Sequence, residues 1–89
     1  MATWTILLLP TAQKDLDRHG NETRERVLNT LQRLAENPRA GGTRKLRGAV
    51  GLYRLRVGDY RAIFRILAAE RQVLVAHVLH RSEVYRNLN

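Results

Sequence analysis

The sequence predicts an α+β domain: a small, mostly antiparallel four-stranded sheet with two amphipathic N-terminal helices packed on one face, in the order β-α-α-β-β-β. Three observations lead there. Residues 3–9 (TWTILLL) form a short β-branched, aromatic and aliphatic run. Val27, Leu28, Leu31, Leu34 and Ala35 make one apolar stripe at helical spacing. In residues 53–66 (YRLRVGDYRAIFRI) apolar residues alternate with arginine around Gly58-Asp59, as in a hairpin with one packed face and one basic face.

Each element has its own signal. The run at 3–9 reads as a buried strand. Pro10 suits the first turn of a helix and Thr11 can cap it. That helix runs to about His19, burying Ala12 and Leu16, and Gly20 stops it. Asn21 is placed to cap the second helix, which Asn37-Pro38 ends. Residues 39–51 hold four of the six glycines and read as a loop, with a short extended piece at Lys45–Leu46. Strands follow at 52–57, 60–67 and 72–79. The last is apolar almost throughout, which suits a central strand covered on both faces. The tail, HRSEVYRNLN, has two apolar anchors, Val84 and Tyr85, and room for a short helical turn.

Eighty-nine residues make a single domain, residues 1–89, with a modest core. The absence of cysteine excludes disulfides, thiolate nucleophiles and cysteine zinc sites. The apolar run before Pro10 is too short for a signal peptide or a membrane span, so a cytoplasmic protein is expected. Charge is the most informative bulk property. The net charge is +8, and residues 39–65 carry most of it: Arg39, Arg44, Lys45, Arg47, Arg54, Arg56, Arg61 and Arg65 against Asp59 alone. Clustered charge of this kind points to a polyanionic partner.

Arg54, Arg56, Arg61 and Arg65 are predicted on one face of the hairpin. Same-face arginines repel across a strand pair unless an anion lies over them. A phosphate-binding face uses that arrangement, with guanidinium forks on nonbridging oxygens. The plainer reading is a solvated sheet face paired with acids, but only Asp59 is near in sequence. Lys45 and Arg47 extend the RNA- and phosphate-binding set. His77 and His80, three apart on a strand, point to opposite faces and cannot share a metal ion; no metal site is expected. His77, within an apolar run, reads as a hydrogen-bonded core residue. His80 ends the strand beside Arg81, at the lip of the basic face, and reads equally as a proton carrier or as a structural residue. Tyr85 either anchors the tail or stacks on a nucleobase.

Taken together, KLRG at 45–48, Tyr53-Arg54-Leu55-Arg56, Gly58-Asp59-Tyr60-Arg61 and the ending His80-Arg81-Ser82-Glu83-Val84-Tyr85 resemble the RelE/ParE toxin superfamily. The tail is more similar to the RelE-like branch. The resemblance covers most of the chain and implies a toxin of a type II toxin–antitoxin pair. RelE-like members cut mRNA in the ribosomal A site, by attack of a ribose 2′-OH on the adjacent phosphate. That chemistry needs no cofactor; it needs a base, cationic stabilisation of the phosphorane and an acid. By resemblance Arg54, Arg56 and Arg61 hold and polarise the phosphate, Arg81 supports the leaving-group side and Tyr85 stacks on the cut nucleotide. The chain departs from the family in two places. Arg54 and Arg56 replace the lysines of the best-known members, and arginine is a poor base. Leu79 stands where some members have the tail arginine. Proton transfer is therefore expected from His80 or Tyr85, unless the ribosome aligns the 2′-OH.

Two other functions fit the same residues: a ParE-like poison of DNA gyrase, and a non-catalytic basic RNA-binding module with strongly salt-dependent binding. The toxin reading implies a cognate acidic antitoxin, with an amphipathic helical segment lying over apolar grooves and the basic sheet. Other expected partners are mRNA in the A site and rRNA. Operator DNA is expected only indirectly through the antitoxin, and no membrane.

Overall fold

Strand β1 (Thr5–Leu8) runs into Leu9, and Pro10 opens helix α1 (Pro10–His19) at the position where its missing N–H costs nothing. The structure, a computed structural model, describes residues 4–38, 43–46, 48 and 51–87, the last three by their backbone alone. Gly20, at φ +90°, breaks the chain between α1 and α2 (Asn21–Glu36). The residue expected to cap α2, Asn21, is instead its first helical residue. Gly20 holds the cap position without a side-chain bond, because only glycine takes that backbone angle cheaply.

The hairpin forms as predicted from β3 (Leu52–Val57) and β4 (Tyr60–Leu67), with β5 (Gln72–His80) completing the sequence-predicted strands. Gly58, at φ +60°, takes the first central position of the two-residue turn, the place that type II′ hairpins reserve for glycine. A fifth strand, β2 (Thr43–Lys45), pairs antiparallel with the outer edge of β3. The sequence showed only a short extended piece there. Three residues carry no period, and the strand forms because β3 offers an open ladder of backbone groups. The sheet order is β1-β5-β4-β3-β2, with β1 parallel to β5 and the other pairs antiparallel.

The inner face of the sheet and the two helices form the main core. Ala12 and Leu16 of α1 and Val27, Leu31 and Leu34 of α2 meet Leu55, Val57, Ala62, Phe64, Val73, Val75 and Val78. Each buried leucine or valine contributes about 1.5–3 kcal/mol of transfer free energy. Tyr53 stacks on Phe64 with ring centroids 5.8 Å apart. A smaller cluster lies on the opposite, outer face: Leu46, Ile63, Leu79 and Val84, with Leu52 against it. Val84 belongs to a terminal helix, α3 (Arg81–Asn87), so β5 is covered on both faces, but by different helices.

Strand β1 ends at Leu8, leaving the edge of β5 beyond Val75 without a strand partner. Helix α1 takes its place, using Thr11, Asp15 and His19, spaced four apart on one stripe. The Thr11 hydroxyl donates to the Ala76 carbonyl, the Asp15 carboxylate accepts from the Val78 N–H at 2.9 Å, and His19 Nε2 donates to the Val78 carbonyl at 2.9 Å. Thr11 is thus a strand partner, with no part in capping α1. Ala76 is a bulge residue: Phe64 pairs with Val75 and Ile63 with His77. The bulge shifts the register and so resets which residues of β5 face outward.

Candidate nucleic-acid interface

The register of the hairpin builds the site. Arg56 stands directly opposite Arg61, Arg54 opposite Ile63, and Arg65 opposite Leu52. Paired residues share a face, so all four predicted arginines lie on the outer face, around Ile63 and Leu79. Arg44, opposite Arg54 on β2, joins them; its signal was hidden because β2 has no period of its own. Arg61 does not point freely into solvent. Its Nη1 donates to the carbonyls of Gly58 at 3.0 Å and Tyr60 at 2.9 Å, which holds the guanidinium over the turn.

Negative charge is kept elsewhere. Ion pairs gather on α1 and α2: Asp15–Arg18, Arg18–Glu83, Asp17–Arg24, Glu22–Arg26 and Asp15–His77. None of them involves Arg44, Arg54, Arg56 or Arg65. The molecule therefore has a helical side rich in ion pairs and a sheet side dominated by arginine, the arrangement that attracts a polyanion.

Helix α3 brings the tail to this face. Val84 is buried against Ile63, Leu79 and Leu46, and the Arg81 N–H donates to the Asp59 carbonyl at 2.8 Å, tying the helix start to the hairpin turn. Arg81 is exposed beside the turn that carries Arg61. The backbone of Tyr85 lies one turn further along α3; its side chain is outside the described residues. The start of α3 is closed by a reciprocal cap. The His80 N–H donates to Glu83 Oε1 at 3.0 Å, and the Ser82 N–H donates to His80 Nδ1 at 3.3 Å, with Ser82 Oγ 3.0 Å from the same nitrogen. The bond from the His80 N–H holds the Glu83 carboxyl below the usual carboxylate range, helped by Arg18 and opposed by partial burial.

Other predicted residues go elsewhere. His80 pairs with Tyr60, so its side chain is on the inner, helix-side face and not at the lip of the arginines. It meets Tyr60 edge-on at 5.5 Å, and His19 lies on Tyr60 at 4.6 Å. Lys45 pairs with Tyr53, which assigns it to the helix side of the edge strand. Arg47 lies outside the described residues. His77 is no core residue: it is 40% exposed, contacts Asp15 at 3.3 Å, and lines an outer-face pocket with Ile63, Arg65, Leu52, Leu74 and Leu9. The bulge and the Asp15 bond put it there, and neither has a local sequence signal.

This fold, with a basic outer sheet face and a tail helix docked on it, defines a small basic α+β domain built to meet a polyanion. The family model described as the ParE toxin of the type II toxin–antitoxin system, parDE, matches residues 6–85. The chain belongs to this RelE/ParE superfamily and is a type II toxin–antitoxin toxin. Among solved structures it is similar to a mutant of the E. coli toxin RelE in the free state (29% identity over 99% of this chain and 95% of that one, TM-score 0.75). It is also similar to an E. coli RelE mutant in complex with an antitoxin RelBc peptide (30% identity over 97% and 93%, TM-score 0.75). The RelE of the archaeal RelE–RelB complex from Pyrococcus horikoshii shares the fold (24% identity over 89% and 96%, TM-score 0.76). No curated protein sequence matches the chain.

Proposed function

We propose that this toxin is a ribosome-dependent mRNA endonuclease, acting in the A site. The observation that supports it most is the gathering of Arg54, Arg56 and Arg61 on one rigid strand pair, with α3 delivering Arg81 to the turn beside Arg61. In this reading the ribose 2′-oxygen bonds to the adjacent phosphorus as its proton leaves. The bond from phosphorus to the 5′-oxygen breaks, and that oxygen takes up a proton. The products are a 2′,3′-cyclic phosphate and a 5′-OH. The three hairpin arginines stabilise the added negative charge of the phosphorane, Arg81 lies on the leaving-group side, and Arg44 and Arg65 track flanking phosphates. Tyr85 stacks on the cut nucleotide and exchanges the proton, a task for which permanently charged arginine is unsuited. Loss of translation in a cell-free extract, with mRNA cut on ribosomes, tests this directly.

A second reading has a specific observation behind it, since the matching family model is that of ParE. A ParE-like toxin would poison DNA gyrase. It would leave translation running and accumulate gyrase–DNA cleavage complexes.

The partner in either case is an antitoxin. RelE proteins of similar fold are found in complex with RelB. On this chain Leu7 and Leu9 are each 38% exposed; Leu9 lines the outer-face pocket with Arg65 and Leu74, and Leu7 pairs with Leu74. An acidic amphipathic segment would cover those leucines while neutralising the arginines.

A further inference from the structure

We infer that His80 is a positioning residue, a titratable N-cap that holds α3 on the basic face, and that it is not the proton carrier. The inference rests on the cleavage reading only for its link to activity. The motif is a capping box, in which the N-cap side chain accepts from the first turn and the third helical residue accepts back from the N-cap N–H. Serine or threonine usually fills the first role. Here an imidazole does, with Glu83 at the reciprocal position.

The bond directions decide the tautomer. A backbone N–H can only donate, so the Ser82 N–H requires His80 Nδ1 to be unprotonated. The neutral ring then carries its proton on Nε2, where it can donate but cannot act as a base. Protonating Nδ1 removes the acceptor for the Ser82 N–H and leaves the Ser82 hydroxyl as a partner only if it turns to accept. It also sets a cation at a helix N-terminus, where the backbone dipole disfavours it. The groups facing His80 are Tyr60 from β4, Ser82, Glu83 and the neighbouring Arg81 on α3, and, from α1, His19 behind Tyr60 and Arg18 through Glu83. Cap and proton carrier are therefore exclusive uses of one nitrogen. The consequence for function is that Arg81 and Tyr85 sit on a helix whose docking is strongest when His80 is neutral.

The experiment compares His80→Asn, which caps without titrating, His80→Ala, which does neither, and the unchanged protein. The first readout is amide hydrogen-exchange protection of Ser82, Glu83 and Val84 between about pH 8 and about pH 5, the interval in which histidine changes charge. The unchanged protein should lose about five-fold in protection at the acid end, the size of one helix cap. His80→Asn should stay protected throughout, and His80→Ala should be unprotected at both ends. Ribosome-programmed cleavage is the second readout: the Asn variant should recover activity over the Ala variant, with a flatter pH profile. Protection that is independent of pH in the unchanged protein, or an Asn variant as frayed as the Ala variant, overturns the inference. An Asn variant that is protected yet has no more cleavage than Ala overturns the positioning role and restores His80 as a proton carrier. Absence of cleavage from every protein, the unchanged one included, defeats the nuclease reading, while the exchange data still decide the cap.

Discussion

Arg56 and Arg61 stand directly opposite each other across the β3–β4 hairpin, two like charges on one face. Arg61 is tied to the turn carbonyls, while Arg56 is exposed. Opposed like charges destabilise a strand pair by a few tenths to about 1 kcal/mol. The protein retains this cost, and the proposed function explains why. Arg56→Gln should therefore stabilise the fold by about 0.5 kcal/mol in urea unfolding while weakening RNA binding. The slope of log affinity against log salt should fall by about 1, as expected for one lost phosphate contact.

Asp15 tests the substitution of a helix for a strand. Its carboxylate is the acceptor for the Val78 N–H at the edge that β1 leaves open. Asp15→Ala strands that N–H at a partly buried position, and equilibrium unfolding should show a loss of about 1–3 kcal/mol. Asp15→Asn keeps an acceptor and should recover part of it. Equal losses in the two variants would mean that the ion pairs of Asp15, not the backbone bond, carry its contribution.

Val84 is the anchor by which α3 reaches the outer face. Val84→Ala removes two methylene equivalents and should cost about 1.5 kcal/mol. Its effect on RNA cleavage should be disproportionate, because the change releases the helix bearing Arg81 and Tyr85 and leaves the main core around Phe64 intact. Unfolding and cleavage measured on the same preparations give the comparison.

Acid sensitivity should trace partly to Glu83. Its carboxyl is held below the ordinary value of 4.5 in the folded state, chiefly by the His80 N–H. Its contribution is therefore fully present above the unfolded value and is lost as pH falls through the lower, folded one. The stability difference between the unchanged protein and Glu83→Gln should be largest near neutrality and shrink in acid below the ordinary carboxylate range.

Most of the fold was legible because its signals are local. The stripe from Val27 to Ala35, the Gly58-Asp59 turn and the alternation through Tyr60–Ile66 each specify an element within a few residues. Ala12 and Leu16 are buried as their spacing predicts. What escaped depends on distant partners. Strand β2 exists only as a neighbour of β3, so Arg44 rather than Lys45 comes to the arginine face. The bulge at Ala76 is coupled to the α1 stripe of Thr11, Asp15 and His19, sixty residues away in sequence. With it, His77 comes outward. The arginine face itself could be read from alternation alone, whereas the inward turn of His80 required the register with Tyr60.

Ribosome-dependent cleavage is decided by end-group analysis of mRNA after incubation with programmed ribosomes and this toxin, beside Arg61→Ala and Tyr85→Phe. A nuclease of the proposed kind gives cuts in the A-site codon with 2′,3′-cyclic phosphate and 5′-OH ends, and activity falls about a hundred-fold or more for Arg61→Ala, the usual scale for losing one preorganised charge-stabilising group. Intact mRNA with gyrase–DNA cleavage complexes accumulating instead, or cleavage undiminished in both variants, would contradict it.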